Sequence, residues 1–320
     1  MIELLRNKKI IINTDIDGVI SGLLLTNYLD CEVVGFSNSS DKVWLDPDKC
    51  KNIFDAVYVD MFVANEDTIS IDQHIIAVNN FHYELIIKNK NKINPNLFNP
   101  RFFIPSDSYK KKYPFGTCHF IISLLCKIGI NLSNLNLDTN NSKLSFIDYL
   151  LRADDTMNTS LIKYTKNAQD WWKWMIDFSN KSYIIYQIVN YLYSTNKVRA
   201  NEIKQEISQM LITLFNCDRS DGGINQITNE NGTLKSMVID YINFISNISN
   251  LTCFDYNLKL KEIKGINKRI RITENQQNEL IFNNTINGEL VFSYAFVKTQ
   301  NYSECFSYTV FQNYEKNRTS

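Results

Sequence analysis

Three apolar segments in the first part of the chain each lead into aspartates. Residues 10–13 precede Asp15 and Asp17, residues 54–60 end on Asp60, and residues 68–72 end on Asp72. Such runs predict buried strands, and the carboxyl ends of parallel strands meet at one edge of a sheet. Carboxylates gathered there repel one another unless a cation lies between them. Because hard divalent cations prefer oxygen ligands, the pattern predicts a cation site at this edge.

Further polar groups lie next to these aspartates or follow a later helix. Asn13 precedes Asp15 by two residues, and Gln73-His74 directly follows Asp72. A predicted helix over 145–151 leads into a second acidic pair, Asp154-Asp155. These residues extend the candidate site.

The elements that position these groups indicate an α/β fold. The strand 10–13, a helix over 21–29 with Ser21 as its N-cap, and a strand over 32–36 form a βαβ unit. Residues 168–215 have helical periodicity, and 234–248 is predicted as one further helix. Alternating segments predict a small antiparallel sheet, and they lie at 259–264, 269–273, 280–283, 289–298 and 305–312.

The chain is long enough for two domains of ordinary size, and we expect a helical connector between them. Residues 1–180 would form a metal-binding catalytic domain built on a parallel sheet. Residues 181–224 would be a helical connector, and 225–320 a smaller α+β domain that binds substrate.

The composition narrows the class of protein. The 320 residues contain 34 Lys plus Arg and 34 Asp plus Glu, so the formal net charge is zero. The chain therefore lacks the overall basic charge that is typical of nucleic-acid-binding proteins. The seven cysteines include no Cys-x-x-Cys pair, which argues against a disulfide framework or a structural zinc site. The first residues lack a signal-peptide pattern, and no apolar stretch reaches transmembrane length. We therefore predict a cytoplasmic protein with reduced thiols and no membrane contact.

The order and spacing of these motifs resemble the DHH phosphoesterase family, which includes RecJ-type exonucleases and nanoRNases. Residues 13–24 follow its first motif, a strand, Asp-x-Asp-Gly and a helix. The strand that ends on Asp60 resembles the second motif, and Asp72-Gln73-His74 resembles the third, Asp-His-His. Asp154-Asp155-Thr156 is similar to the fourth, and Asn94-Pro95 and Gly116-Thr117 also recur in the family.

The resemblance implies a phosphoesterase that cuts phosphodiester bonds of short oligonucleotides, single-stranded ends or cyclic nucleotides with a di-metal-activated water. The implied cofactor is Mn²⁺ or Mg²⁺, with the second of two ions weakly held, and a homodimer is compatible with this family. The implied metal ligands are Asn13, Asp15, Asp17, Asp60, Gln73 and Asp155. Asp154 is the alternative to Asp155, because either aspartate can be aligned with the family's fourth motif. The implied catalytic residues are Asp72 and His74, the histidine contacting the phosphate.

Two departures from the family pattern leave alternatives open. Asn13 stands where a ligand His or Asp is usual, and Gln73 replaces a metal-binding His. Their neutral carbonyl oxygens are weak ligands, so one alternative is a degenerate relative that binds nucleotides without hydrolysis. The other is a haloacid-dehalogenase-like phosphatase in which Asp15 is the nucleophile and Asp154-Asp155 the metal pair.

Overall fold

A seven-stranded mixed sheet forms the centre of the computed structural model, which describes residues 1–99, 110–139, 144–297 and 305–311. Its strands, in chain order, are β1 (Lys9–Asn13), β2 (Glu32–Ser37), β3 (Lys42–Leu45), β4 (Val57–Val59), β5 (Ser70–Ile71), β6 (Lys92–Ile93) and β7 (Lys261–Lys264). Their spatial order is β6-β5-β4-β1-β2-β3-β7. The first five are parallel, whereas β3 is antiparallel to both β2 and β7. The predicted α/β class is thus correct, and the sheet is mixed.

A second sheet has three antiparallel strands in the order β11-β12-β8. These are β8 (Ile266–Ile270), β11 (Ser293–Val297) and β12 (Cys305–Val310), with a hairpin of β9 (Thr285–Ile286) and β10 (Glu289–Leu290) nearby in sequence. The predicted strands 289–298 and 305–312 correspond to part of this region, and residues 298 and 312 lie outside the described residues.

Ten α-helices of four or more residues accompany the strands in the described ranges. They are α1 (Ile16–Leu29), α2 (Asn80–Ile86), α3 (Pro95–Phe98), α4 (Thr117–Lys127), α5 (Phe146–Arg152), α6 (Thr165–Phe178), α7 (Tyr183–Ser194), α8 (Lys197–Leu214), α9 (Ser236–Ser249) and α10 (Glu274–Asn283). Short helical turns lie at Ile2–Leu5, Ala153–Asp155, Thr156–Asn158 and Thr159–Lys163. No helix among the described residues combines the length and apolar character required to cross a membrane.

Three local predictions differ from the structure. Helix α1 begins at Ile16 and its N-cap is Asp15, so Ser21 lies inside the helix and does not cap it. The predicted strand over 280–283 is wrong, because these residues end α10, whose start has a capping box of Thr273 and Gln276. The predicted segment 259–264 contributes β7 to the large sheet and does not pair with the small one.

One hydrophobic cluster reaches across the predicted domain boundaries. It contains buried residues from Ile2 to Leu260, including Ile188 in the predicted connector and Tyr241 beyond it. A second cluster joins residues 62–97 to residues of α10 and the small sheet. The division into three domains stays a prediction, and the burial shows that the predicted segments share apolar cores.

The strand order places a topological switch point between β1 and β4. The chain passes from β1 to β2 on one side of β1, and β4 later pairs on its other side. Crevices at the carboxyl ends of strands around such a point are where open α/β sheets place ligands. Asn13 ends β1 and Asp60 directly follows β4, so both lie at this crevice.

Candidate functional site

A cavity of about 230 Å³ lies between the two sheets, and most of the predicted site residues line it. The lining includes seven of the predicted residues: Asn13, Asp15, Asp17, Asp60, Asp72, Gln73 and His74. We call five of its aspartates the acidic floor, namely Asp15, Asp17, Asp60, Asp72 and Asp154. We call the facing residues of the small sheet the neutral wall, namely Asn267, Ser293, Tyr294, Ser307 and Thr309.

Asp15 is fixed at the floor because it caps helix α1. Its Oδ1 accepts a hydrogen bond from the backbone N–H of Gly18 at 3.0 Å, the usual arrangement of an N-cap. Gly18 is required there, since a Cβ on it would lie 2.3 Å from the carbonyl oxygen of Asn13. The close passage of helix over strand therefore fixes the turn between Asp15 and Gly18.

Asp17 caps a different helix. Its two carboxylate oxygens accept the backbone N–H groups of Thr117 at 2.7 Å and Cys118 at 2.8 Å, at the start of α4. A Cβ on Gly116 would lie 2.7 Å from a carboxylate oxygen of Asp17, so glycine allows this approach. The carboxylate thus meets the positive end of a helix dipole and free helix donors. This explains why a small residue precedes α4.

Asp60 connects the end of β4 to the other carboxylates. It has a left-handed φ of 62°, which aspartate adopts more readily than most residues. The hydroxyl of Thr117 donates to its Oδ1 at 2.8 Å, and the amide Nδ2 of Asn13 donates to its Oδ2 at 3.0 Å. Asp60 therefore touches residues that contact both Asp15 and Asp17.

The side-chain amide of Asn13 lies between two carboxylates. The backbone N–H of Thr14 donates to its Oδ1 at 2.7 Å, which directs the oxygen away from the acids. Its Nδ2 donates to Asp15 at 2.8 Å and to Asp60 at 3.0 Å. The residue predicted to offer a carbonyl oxygen to a cation instead presents N–H donors to the floor.

Asp72 and His74 form a hydrogen-bonded pair. The Nδ1 of His74 lies 3.0 Å from the buried carboxylate of Asp72, whose other oxygen accepts the backbone N–H of His74 at 2.9 Å. Asn94 donates to the carbonyl of His74, and Asn96 to the carbonyl of Gln73, both at 2.7 Å. The Asn94-Pro95 turn therefore holds the backbone of the pair in place.

Gln73 has an unusual environment for a glutamine. Its side chain is 2% exposed, and its Oε1 has no hydrogen-bond partner among the described residues. A buried acceptor without a partner is unfavourable by about 1–3 kcal/mol. Gln73 thus lines the cavity and holds a buried acceptor that no described residue satisfies.

The adjacent Asp154 and Asp155 differ in environment. Asp154 lines the cavity, and desolvation raises its pKa to about 6 despite the opposing charge of Lys112. Asp155 lies outside the cavity lining, where Lys163 and Lys204 each donate to it at 2.7 Å and hold its pKa below the usual value against burial. Of the two registers left open by the sequence, Asp154 is the one at the cavity.

Burial and mutual repulsion disfavour ionisation of the floor. Burial raises the pKa of Asp15 to about 7, with Asp221 adding to the rise and Arg219 opposing it. Burial also raises the pKa of Asp17, and it raises that of Asp60 well above its usual value, with the charges of Asp17 and Asp15 reinforcing the effect. The floor therefore lacks sufficient positive charge among the protein groups around it.

Sequence reasoning missed the contribution of residues 217–224, which form a loop at the cavity. Arg219 and Asp221 line it, and the Nη2 of Arg219 lies 3.3 Å from Asp15. The backbone N–H of Ile16 donates to the carbonyl of Asp221 at 3.0 Å, which attaches the loop to the start of α1. The only local signal was the Gly222-Gly223 pair, which marks a turn without showing where it docks.

The donor chemistry fits a hard divalent cation, although the side chains do not form a ready cage. Among the described ranges, no group of three or more His, Cys, Asp or Glu side chains is arranged to hold a metal ion. Hydrogen bonds from Asn13 and from the start of α4 already occupy the carboxylates. The fit rests on carboxylate oxygens with raised pKa values and on the unpartnered Oε1 of Gln73.

Comparison with known proteins gives no match to a family model, a curated protein or a solved structure.

Proposed function

We propose that this chain is a divalent-cation-dependent phosphoesterase. Its substrates would be phosphodiesters of nucleotide type: short oligonucleotides, single-stranded ends or cyclic nucleotides. One observation carries the proposal. Residues from four separated segments, Asn13–Asp17, Asp60, Asp72–His74 and Asp154, line one cavity at a topological switch point.

The Asp72–His74 pair would contact the reacting phosphate. With its Nδ1 on Asp72, the ring of His74 keeps a fixed orientation and leaves Nε2 as the nitrogen that can meet a ligand. The carboxylate acts here through the histidine, as an orienting group. His74 would then bind a phosphoryl oxygen or transfer a proton at the leaving oxygen.

The acidic floor would hold the cation, with Asp15, Asp17, Asp60 and Asp154 as carboxylate donors and Gln73 as a neutral one. When bound, Mg²⁺ or Mn²⁺ would supply hydroxide at neutral pH and positive charge for the phosphoryl oxygens. The protein's own contribution is to bury three of these side chains, Asp17, Asp60 and Gln73, where little water screens their interaction with the cation.

A hydrolysis screen tests the proposal. Purified protein is incubated with Mn²⁺ or Mg²⁺ and with an oligonucleotide, a cyclic dinucleotide or bis(p-nitrophenyl) phosphate. We expect turnover that requires the metal and that falls at least about 100-fold in Asp60→Asn, since the substitution removes a floor charge. Asparagine tolerates the left-handed φ of residue 60 and keeps the shape of the side chain.

Asp30→Asn is the matched control. Asp30 also has a left-handed φ, 52°, and its side chain is 74% exposed at the end of α1. It should retain full activity. The proposal is wrong if the wild type hydrolyses none of the substrates, or if Asp60→Asn is as active as the wild type.

A second candidate, nucleotide binding without hydrolysis, is favoured by the orientation of Asn13. Its amide donates to Asp15 and Asp60 and so occupies space between two acids that a cation would share. In this case phosphodiesters raise the melting temperature of the wild type without turnover, and Asn13→His with Gln73→His gains metal-dependent hydrolysis. Robust turnover by the wild type would exclude this candidate.

The haloacid-dehalogenase-like alternative gives no role to Asp60 or to the Asp72–His74 pair, although all three line the cavity. It requires an aspartyl phosphate on Asp15. Beryllium fluoride would bind tightly to the wild type and not to Asp15→Asn if this alternative were correct.

A further inference from the structure

The cavity has an acidic floor and a neutral wall, so a cationic side chain in its lining would be the protein's own positive charge for a phosphate. Among the described lining residues, Arg219 is the one lysine or arginine. Its guanidinium can form the paired, charge-assisted hydrogen bonds that phosphate recognition uses.

Arg219 is held from one side and open on the other. Its Nε donates to Asp221 at 3.0 Å, whereas its Nη2 reaches Asp15 only at 3.3 Å. Within the described part of the chain, its Nη1 has no hydrogen-bond partner, and the side chain of Arg219 as a whole is 39% exposed. The stem is therefore anchored, and the outer nitrogens are available to an anion.

The guanidinium of Arg219 packs against Gly223 of the same loop. A Cβ on Gly223 would lie 2.2 Å from Nε of Arg219 and 2.4 Å from its Cζ. The flat group packs directly on the glycine backbone. The loop is itself fixed, because the backbone N–H of Ile224 donates to the hydroxyl of Thr14 at 3.1 Å. Gly223 thus positions the side chain of Arg219, which is a role that the sequence did not reveal.

We propose that Arg219 binds the phosphate of the ligand and that Gly223 positions it for this task. In the ligand-free site the Nη2 of Arg219 rests on Asp15, and it transfers to the phosphate when ligand arrives. This inference rests on the proposed phosphoester ligand and adds the residue that recognises its anionic group.

Calorimetric titration with inorganic phosphate and with AMP tests the assignment, using the full chain in the presence of Mg²⁺. We expect Arg219→Ala to weaken both ligands by about ten- to hundredfold, the range for a charge-assisted pair. Arg219→Lys keeps the positive charge but loses the planar guanidinium that makes paired hydrogen bonds, so it should retain only part of the phosphate affinity. Arg199→Ala, an exposed arginine on α8, is the control and should bind both ligands as the wild type does.

Gly223→Ala separates positioning from charge. Its added methyl group displaces the guanidinium without altering any charge, so phosphate affinity should fall although Arg219 is present. The double variant Gly223→Ala/Arg219→Ala should bind phosphate no more weakly than Arg219→Ala alone. If Arg219 only stabilised the loop, Arg219→Ala would weaken Mg²⁺ binding as well as phosphate binding. If Arg219 binds phosphate, Arg219→Ala removes a guanidinium that competes with Mg²⁺ for Asp15, so the Mg²⁺ affinity should be unchanged or higher.

The outcomes distinguish this inference from the proposed hydrolysis. Phosphate binding that requires Arg219, without turnover of any substrate, would support Arg219 and disprove hydrolysis. Turnover together with unchanged phosphate affinity in Arg219→Ala would disprove the role of Arg219 and keep hydrolysis. A folded wild type that binds neither phosphate nor AMP overturns the inference, as would additive losses in the double variant.

Discussion

The acidic floor and the neutral wall face each other across one cavity, yet they are built differently. The floor's carboxylates are held by backbone donors, as Asp17 is by Thr117 and Cys118. The wall's groups bond mainly to one another, as when Asn267 donates to the hydroxyls of Ser307 and Thr309, both at 3.1 Å. The floor therefore holds titratable carboxyl groups in fixed positions, and the wall offers uncharged polar groups.

The two sides are joined by ring packing and by the backbone. Tyr294 of the wall lies edge-on to Phe62, with 4.7 Å between ring centroids. The backbone N–H of Phe296 donates to the carbonyl of Ile75, just after the Asp72–His74 pair. The difference between the sides is thus chemical, since both are attached to the same core, and substitutions can test it.

The largest effect should come from crowding the floor. In Gly18→Ala the new methyl group meets the backbone carbonyl of Asn13, so we expect the free energy of unfolding to fall by about 3 kcal/mol. Gly288→Ala, in the hairpin that precedes β11, has no atom within 4 Å of its Cβ and carries only the strain of a φ of 76°. It should lose about 1 kcal/mol. Urea denaturation of both variants checks the contrast, which a similar loss in each would contradict.

A pH series should reveal the charge that the floor holds. The folded pKa of Asp15 is about 7, above the ordinary 3.8. A carboxyl with a raised folded pKa binds more protons folded than unfolded, so its contribution to stability falls as pH rises from about 4 to about 7. Without divalent cations, the stability of Asp15→Asn relative to wild type should therefore increase by about 2 kcal/mol from pH 5 to pH 8. A pH-independent difference in urea denaturation would show that Asp15 carries no such charge.

The contrast between Asp154 and Asp155 sharpens the boundary of the floor. Asp155→Asn breaks ion pairs outside the cavity and should lower the free energy of unfolding by about 1 kcal/mol, with Mn²⁺ affinity unchanged. Asp154→Asn should do the reverse, weakening Mn²⁺ binding with little loss of stability. Calorimetric Mn²⁺ titration and urea denaturation of both variants test these expectations. Weaker Mn²⁺ binding by Asp155→Asn would show that Asp155 is a metal ligand.

The smallest effect should come from the wall. Asn267→Ala removes an amide from the lining, so we expect KM for a nucleotide substrate to rise about fivefold while kcat is kept. Asn247→Ala, on an exposed position of α9, is the matched control. A loss of kcat in Asn267→Ala would mean that the wall acts on the reacting group.

Sequence patterns predicted the floor well because its motifs are local. A strand that ends on aspartate is visible in a few residues, and the parallel sheet gathered Asp15, Asp60 and Asp72 as expected. The start of α1 was misplaced because Asp15 serves as a cap as well as a floor group. The prediction of a strand over 280–283 did not take into account the capping box of Thr273 and Gln276 upstream, which indicates the start of a helix.

The wall and the loop were harder to predict, because their positions depend on long-range pairing. Nothing near residue 219 indicates that its arginine reaches Asp15, a partner 204 positions away in the chain. Residues 261–264 pair with β3, which was itself missed as a strand of four residues. Apolar alternation indicates that a segment is a strand, but it does not identify the neighbouring strand.

The cap that Asp17 places on α4 also bears on the order of folding. It joins groups 100 and 101 positions apart, so the intervening chain must be closed into a loop before the bond can form. Contacts of such long sequence separation slow folding relative to local ones. A nascent chain that ends before Thr117 contains Asp15, Asp17 and Asp60 but lacks the amides that hold Asp17. During synthesis, Asp17 therefore reaches its final hydrogen-bonded position only after the start of α4 has been made.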